Sequence, residues 1–158
     1  MPPRKKTTKR KDNFRSAPPR RKLATQKDLK NLLELLKKQL GFKPHDFQVH
    51  AIQAQPLGKD VVVHAGTGSG KTVIAAGPHL HNPKSGVTLF ISPLIGLQNE
   101  QDQVQTFSNQ FKLKAVAVNS QHGGCKPELL QSIIRCEYNI VILSPEMLLL
   151  KQFVETVL

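Results

Sequence analysis

Cysteine is scarce in this chain of 158 residues: Cys125 and Cys136 are the only two. A disulfide-held miniprotein is therefore excluded, and two reduced, partly buried thiols are expected instead. No apolar run reaches the roughly 18 to 20 residues that a membrane-spanning helix needs, and no hydrophobic signal core follows the basic N-terminus. Membrane insertion and secretion are thus disfavoured, and an intracellular place is expected. Neither a sustained heptad nor a Gly-X-Y period is present, which removes coiled-coil and collagen-like rods. Acidic residues are also few. Asp and Glu total 11 against 23 Lys and Arg, for a net charge of +12, and no two acidic residues are adjacent anywhere.

The apolar share, 39%, supplies one hydrophobic core and hardly two, so the chain reads as a tail, residues 1–24, and one domain, residues 25–158. Most of the positive charge sits in the tail: residues 1 to 22 carry ten Lys and Arg against the single Asp12. With Pro2, Pro3, Pro18 and Pro19 among those cations and almost no apolar side chains, the tail is expected to be disordered. RKKTTKRK followed by APPRRK has the form of a bipartite nuclear import signal, and the same charge suits nonspecific contact with nucleic acid. Simple solvation is the bland alternative. The prolines oppose the amphipathic helix of a mitochondrial presequence. Nuclear, otherwise cytoplasmic, is the expected location.

Beyond the tail, Thr25 and Asp28 form a T-x-x-D capping pattern, and Leu29, Leu32, Leu33, Leu36 and Leu40 recur at helical spacing up to Gly41, predicting a helix over about 25–40. A second, short helix is expected from Phe47 to Gln55, closed by Pro56 and a Leu57-Gly58-Lys59 turn. The texture then changes. Val61 to His64, Val87 to Ile91, Ala115 to Val118 and Ile140 to Leu143 are short and apolar on both faces, as strands buried in a parallel sheet are. Helical segments at about 71–81, 93–108, 127–136 and 145–157 alternate with them, which predicts an α/β fold, a parallel sheet flanked by helices. Two junctions are alike: Ile91-Ser92-Pro93-Leu94 and Leu143-Ser144-Pro145-Glu146 each end a strand with Ser at a helix N-cap and Pro at the first helical position.

The strongest motif is Ala65-Gly66-Thr67-Gly68-Ser69-Gly70-Lys71-Thr72, between an expected strand and an expected helix. Its glycines let successive backbone N–H groups turn inward, so a phosphate chain can lie against them and against the helix N-terminus. Lys71 can reach the β and γ phosphates as a point charge, and the Thr72 hydroxyl can occupy one position on Mg2+. ATP with Mg2+ is the expected cofactor. Strand, loop, Gly-Lys-Thr and helix occurring in order make a chance glycine-rich turn a poor alternative. The motif alone leaves a kinase, a transporter ATPase and a motor open.

GFKPHDFQVHAI, LGKDVVVHAGTGSGKT, TLFISPLIGLQNEQ and IVILSPEMLL, in this order, resemble the first motor lobe of superfamily 2 helicases, nearest to the RecQ-like DEAD/DEAH-box group, over about residues 38–158. The resemblance implies a partial RecA-like P-loop lobe and an ATP-driven activity that translocates along nucleic acid and separates its strands. It also implies that Gln48 reads adenine, its side-chain amide offering both donor and acceptor to the base edge, with Phe42 or Phe47 supporting it. Phe-Arg usually stands shortly before this Gln in the group, whereas Pro44 and His45 stand there here. The bland reading of Gln48 is a polar residue on an amphipathic helix.

The two Ser-Pro segments resemble motifs that contact the nucleic-acid backbone, which nominates Ser92, Pro93, Ser144 and Pro145. A Ser hydroxyl beside a helix N-terminus suits a phosphate, though such a serine can equally be only an N-cap. Backbone contacts carry no base information and do not separate DNA from RNA; nucleic acid, DNA before RNA, is the expected partner. His122, Cys125 and Cys136 fall short of a structural zinc site by number and spacing, and the scattered histidines nominate no hydrolase triad.

A helicase lobe also needs a strand ending in Asp with Glu beside it, to hold Mg2+ and orient the attacking water. No predicted strand here ends so, and the sequence closes at Leu158 before such a segment is expected. The chain accordingly reads as the N-terminal part of an ATP-dependent helicase, binding nucleotide and nucleic acid and unable to turn over alone. The rival is a non-catalytic nucleotide- and nucleic-acid-binding module from a truncated or degenerate helicase gene. An unrelated P-loop kinase explains neither the Gln48 region nor the Ser-Pro junctions.

Overall fold

Ile140 to Leu143 is the most deeply buried run in the computed structural model, which describes residues 26–82, 86–92, 97–119 and 124–158; all four side chains are fully buried. The run forms β3 (Ile140–Leu143), the middle of a three-stranded sheet. β1 (Thr88–Ile91) and β2 (Ala115–Val118) pair with it in parallel on either side, with Ile91 and Val118 both opposite Leu143. Burial on both faces is why these strands read as continuous apolar runs rather than alternating ones.

Alternation reappears in which core each residue enters. Ile140 and Ile142, with Phe90, Ala115 and Ala117, face a cluster containing Leu32, Leu36, Val49, Ile52, Val73 and Phe107. Val141 and Leu143, with Leu89, Val116 and Val118, face Leu130, Ile133, Met147 and Phe153. This period of two puts α1 (Gln26–Leu40), α2 (Asp46–Ala54), α3 (Lys71–His81) and α4 (Leu97–Gln110) on one side of the sheet. On the other side lie α5 (Pro127–Ile134), α6 (Pro145–Leu148) and α7 (Lys151–Val157). Truncating a central residue such as Ile142 to Ala would cost about 2–5 kcal/mol.

The helices therefore fall close to their expected places. Leu32 and Leu36, one turn apart on α1, are both buried, and Leu33 and Leu40 pack beside them. The expected tail, the capping role of Thr25, and Pro93 and His122 lie outside the described residues.

Three expectations fail. Val61 to His64 is not a buried strand: it has no ladder partners, and Val62 is 99% exposed. The ladder of the described residues joins only β1, β2 and β3, this segment adds to neither edge of that sheet, and β-branched composition alone cannot make a strand. Its side chains instead line an open groove of about 460 Å³ against Phe47, His50, Ala51 and Ala54 of α2.

The single helix expected over 145–157 is two, because Leu150 is extended (φ −61°, ψ 130°). Met147 and Phe153, six residues apart, would diverge by about 120° on one continuous helix; the break lets both enter the same core. The cysteines also differ from each other. Cys125 is buried while Cys136 is exposed in a left-handed turn at φ +57° just past α5.

Two contacts on the first face fix α3, the helix entered from the glycine-rich loop. Gly77 on α3 lies directly on Ile52 of α2, where any Cβ would overlap the isoleucine side chain. Pro78, inside the same helix, has no N–H for the carbonyl of Ile74, and the Gln55 side chain fills that vacancy by donating to it at 3.0 Å. α2 and α3 are thus fixed to each other by close approach and by a repaired helical hydrogen bond.

Candidate nucleotide and nucleic-acid site

Parallel strands bring the residues that follow them to one edge, and in such sheets ligands are held beyond the carboxyl ends. Ser92 follows β1, Asn119 follows β2 and Ser144 follows β3. Ser92 donates its N–H to the carbonyl of Leu143 at 3.0 Å, so the two serines nominated from sequence stand side by side. Both are nearly buried.

Ser144 does cap a helix. Its hydroxyl accepts from the N–H of Met147 at 3.3 Å, with Pro145 at the first helical position. The same hydroxyl binds the Glu146 carboxylate, and that bond, followed by one from the residue's own backbone, holds Glu146 below the usual carboxylate range.

Beside the serines, the buried Glu100 of α4 accepts a hydrogen bond from the Asn119 side chain. Sequence reasoning missed this pair. A carboxylate in the first turn of a helix is unremarkable alone, and only the sheet order brings Asn119 to it.

The P-loop follows Val61 to His64 and enters α3. Gly70 is the N-cap in the left-handed region (φ 72°, ψ 33°), the turn that aims the first N–H groups of α3 out of the loop. Lys71 folds back across the mouth: its ammonium donates to the carbonyls of Ala65 at 3.0 Å and Gly66 at 2.7 Å. Ser69 Oγ also donates to Gly66, at 2.7 Å. Lys71 and the segment Gly66 to Gly68 are exposed, while Thr72 is half-buried in the first turn of α3. An incoming anion would exchange these backbone carbonyls for its own oxygens as partners of Lys71, an exchange that favours the full negative charge.

Gln48 lies behind the loop and is 1% exposed. Its Nε2 donates to the carbonyls of Ser69 at 3.1 Å and Gly70 at 2.9 Å. Its Oε1 accepts from the N–H of His45 at 2.8 Å, joining the start of α2 to the loop. His45 stacks on Phe47, ring centroids 5.7 Å apart, and Phe42 is half exposed. The structure thus brings Gln48 to the P-loop, as the sequence suggested, and sets its amide against the backbone.

At the far end of α3, the buried His79 shares a 2.8 Å hydrogen bond with Thr88 Oγ1 at the start of β1, and burial pulls its imidazole below the ordinary histidine pKa. Among the described residues no three His, Cys, Asp or Glu side chains are grouped to hold a metal ion, and no helix is long and apolar enough to cross a membrane.

Residues 45–157, more than half of the chain, match the family model described as DEAD/DEAH box helicase. The chain belongs to this family. The match begins at His45, three residues before Gln48, and runs through the P-loop and both serine junctions to α7. Comparison with curated proteins finds no significant match. Membership in the DEAD/DEAH box helicases accounts for a parallel α/β lobe with a phosphate loop and strand-end serines on one polypeptide, and it carries an ATP-dependent, nucleic-acid-directed activity.

Proposed function

We propose that this chain is the nucleotide- and nucleic-acid-binding part of the first motor lobe of a RecQ-like helicase acting on DNA in the nucleus. The observation that carries the reading is the P-loop backbone and its lysine at the head of α3, in a chain whose strand ends also place Ser92 beside Ser144. ATP, with Mg2+, is the ligand for residues 65–72. In a complete motor it supplies the phosphoanhydride whose cleavage drives translocation. Lys71 neutralises the phosphate chain, the N–H groups leading into α3 orient it, and Thr72 is the chain's own contribution to the cation. Ser92 and Ser144 with their following prolines hold a strand by its backbone, and the basic tail adds sequence-independent attraction.

Binding without helicase-rate turnover is part of the proposal. β1 and β3 run into Ser92 and Ser144, β2 into Asn119, and no acidic residues are adjacent in the chain, so the carboxylate pair that orients an attacking water is not supplied here. The test is a titration of the full chain with MgATP and, separately, with single-stranded DNA and RNA. Lys71→Ala should weaken the nucleotide and leave the nucleic acid nearly unchanged. Nucleic-acid-stimulated ATPase activity that Lys71→Ala abolishes would overturn the non-catalytic part, and equal ATP affinity in the variant would overturn the nucleotide site.

A further inference from the structure

The backbone N–H and carbonyl groups of Val61, Val62, Val63 and His64 have no hydrogen-bond partner among the described residues. Val62 is 99% exposed, and Val61 beside it 44%. Three consecutive β-branched residues have the composition of a strand, and no proline or charge interrupts them. Protein edges are usually blunted by such residues, so a bare run of valines with free backbone groups is a template for another strand. Phe47, Ala51 and Ala54 of α2 leave apolar surface open alongside, in the groove that the segment lines. The flanking charges specify which strand fits. In an antiparallel pair centred on Val62, residues equidistant from it stand opposite each other, so Val61 meets the partner's Val63 and Asp60 meets the partner's His64. Asp60 and His64 are both exposed and make no ion pair among the described residues. Set across from each other they attract, whereas a parallel pair would set Asp60 against its own copy.

We propose that this chain self-associates as a two-fold dimer, residues 61–64 pairing antiparallel with the same segment of a second copy. The pairing supplies the ladder bonds that the segment lacks within its own chain and removes Val62 from water. Two-fold symmetry makes the Asp60–His64 pair occur twice. A four-residue pairing is about 13 Å long and falls short of the roughly 1,200 Å² of a standard interface, so the dimer is weak, with a Kd on the order of 0.1 mM. The net charge of +12 on each copy opposes it further. Ala65, which opens the phosphate loop, follows directly. The two loops therefore leave the pair at opposite ends, about 20 Å apart, and both stay open.

The experiment is sedimentation equilibrium of the nuclease-treated full chain up to about 1 mM, at about 0.3 M salt, where tail repulsion and nucleic-acid bridging are both suppressed. The intact chain should pass from monomer to dimer. Val62→Lys, a change at a fully exposed side chain, should weaken the dimer at least about tenfold. Asp60→Lys and His64→Glu should each weaken it about three- to tenfold, and the double variant should recover it, because the pair is then reversed and not lost. In a Cys136→Ser background with oxidised glutathione as oxidant, Val62→Cys should form a disulfide-linked dimer, since directly opposed Cα atoms lie about 4.5–5.5 Å apart. Leu149→Cys, 76% exposed at the end of α6, should do so far more slowly. A chain that stays monomeric to about 1 mM overturns the proposal. So does a dimer indifferent to Val62→Lys, which would place the contact on another surface, and failure of the double variant to recover overturns the antiparallel register.

Discussion

Replacing Gly77 by alanine should have opposite effects in two backgrounds. Gly77 is buried in α3, and a Cβ there would overlap Cδ1 and Cγ1 of Ile52 and come within 2.8 Å of Cγ2. Because both branches of the isoleucine are involved, rotation about χ1 cannot clear them, and Ile52 is only 1% exposed within the core. Overpacking of this kind costs about 1–3 kcal/mol, while alanine gains about 1 kcal/mol over glycine in a helix interior. The expected net is a loss of about 1 kcal/mol for Gly77→Ala alone. In an Ile52→Ala background, itself destabilised by about 2–5 kcal/mol, the obstruction is gone and only the helix propensity remains. Gly77→Ala should there stabilise by up to about 1 kcal/mol, giving a coupling of about 2 kcal/mol between the sites. Urea unfolding of the four proteins measures this, provided the slope with denaturant is unchanged across them. A shift of the same sign and size in both backgrounds would refute the close packing of α2 on α3.

Other consequences can be checked separately. Deleting residues 1–22 should flatten the salt dependence of nucleic-acid binding; if about five of the tail's cations neutralise phosphates, the slope is about −4, and raising salt from about 50 to 200 mM weakens the intact chain by roughly a few hundredfold. An unchanged slope after deletion would remove the tail from the binding account. Fused to a reporter, residues 1–24 should direct it to the nucleus, and alanines at Arg20, Arg21 and Lys22 should reduce this; cytoplasmic signal from the unaltered fusion argues against an import signal. His79, held below its ordinary pKa by burial, resists a proton that the unfolded chain accepts at about 6.5. Stability should therefore fall as pH drops through about 6.5, levelling once the folded-state pKa is passed, and His79→Gln should flatten the trend in urea midpoints between about pH 7.5 and 5.5. A variant with the same pH trend would clear His79 of that role.

Local signals reached the structure intact where the physics is local. The P-loop is contiguous, so its glycines, Lys71 and the helix behind it were legible together; α1, β2 and β3 were legible because hydrophobic period and length agree. Val61 to His64 looked like its neighbours, yet a strand exists only through a partner, and composition does not name one. Helix breaking at Leu150 had no glycine or proline to announce it, since the cause is the shared burial of Met147 and Phe153.

The same division runs through the site. The likeness of the two Ser-Pro junctions was visible, but their adjacency depends on the order β1-β3-β2, which places a crossover between them. Gln48 was singled out by position, but the acceptors of its amide lie more than twenty residues away in sequence. Gln55 on the carbonyl freed by Pro78, His79 on Thr88 and Glu100 on Asn119 are likewise polar pairs between elements, invisible to any periodicity. Two of these contacts act on α3, one holding its middle to the end of α2 and the other its far end to β1. Gln48 braces the loop at its head. The helix that presents the phosphate loop is therefore tied at three points by side chains from neighbouring elements or strands.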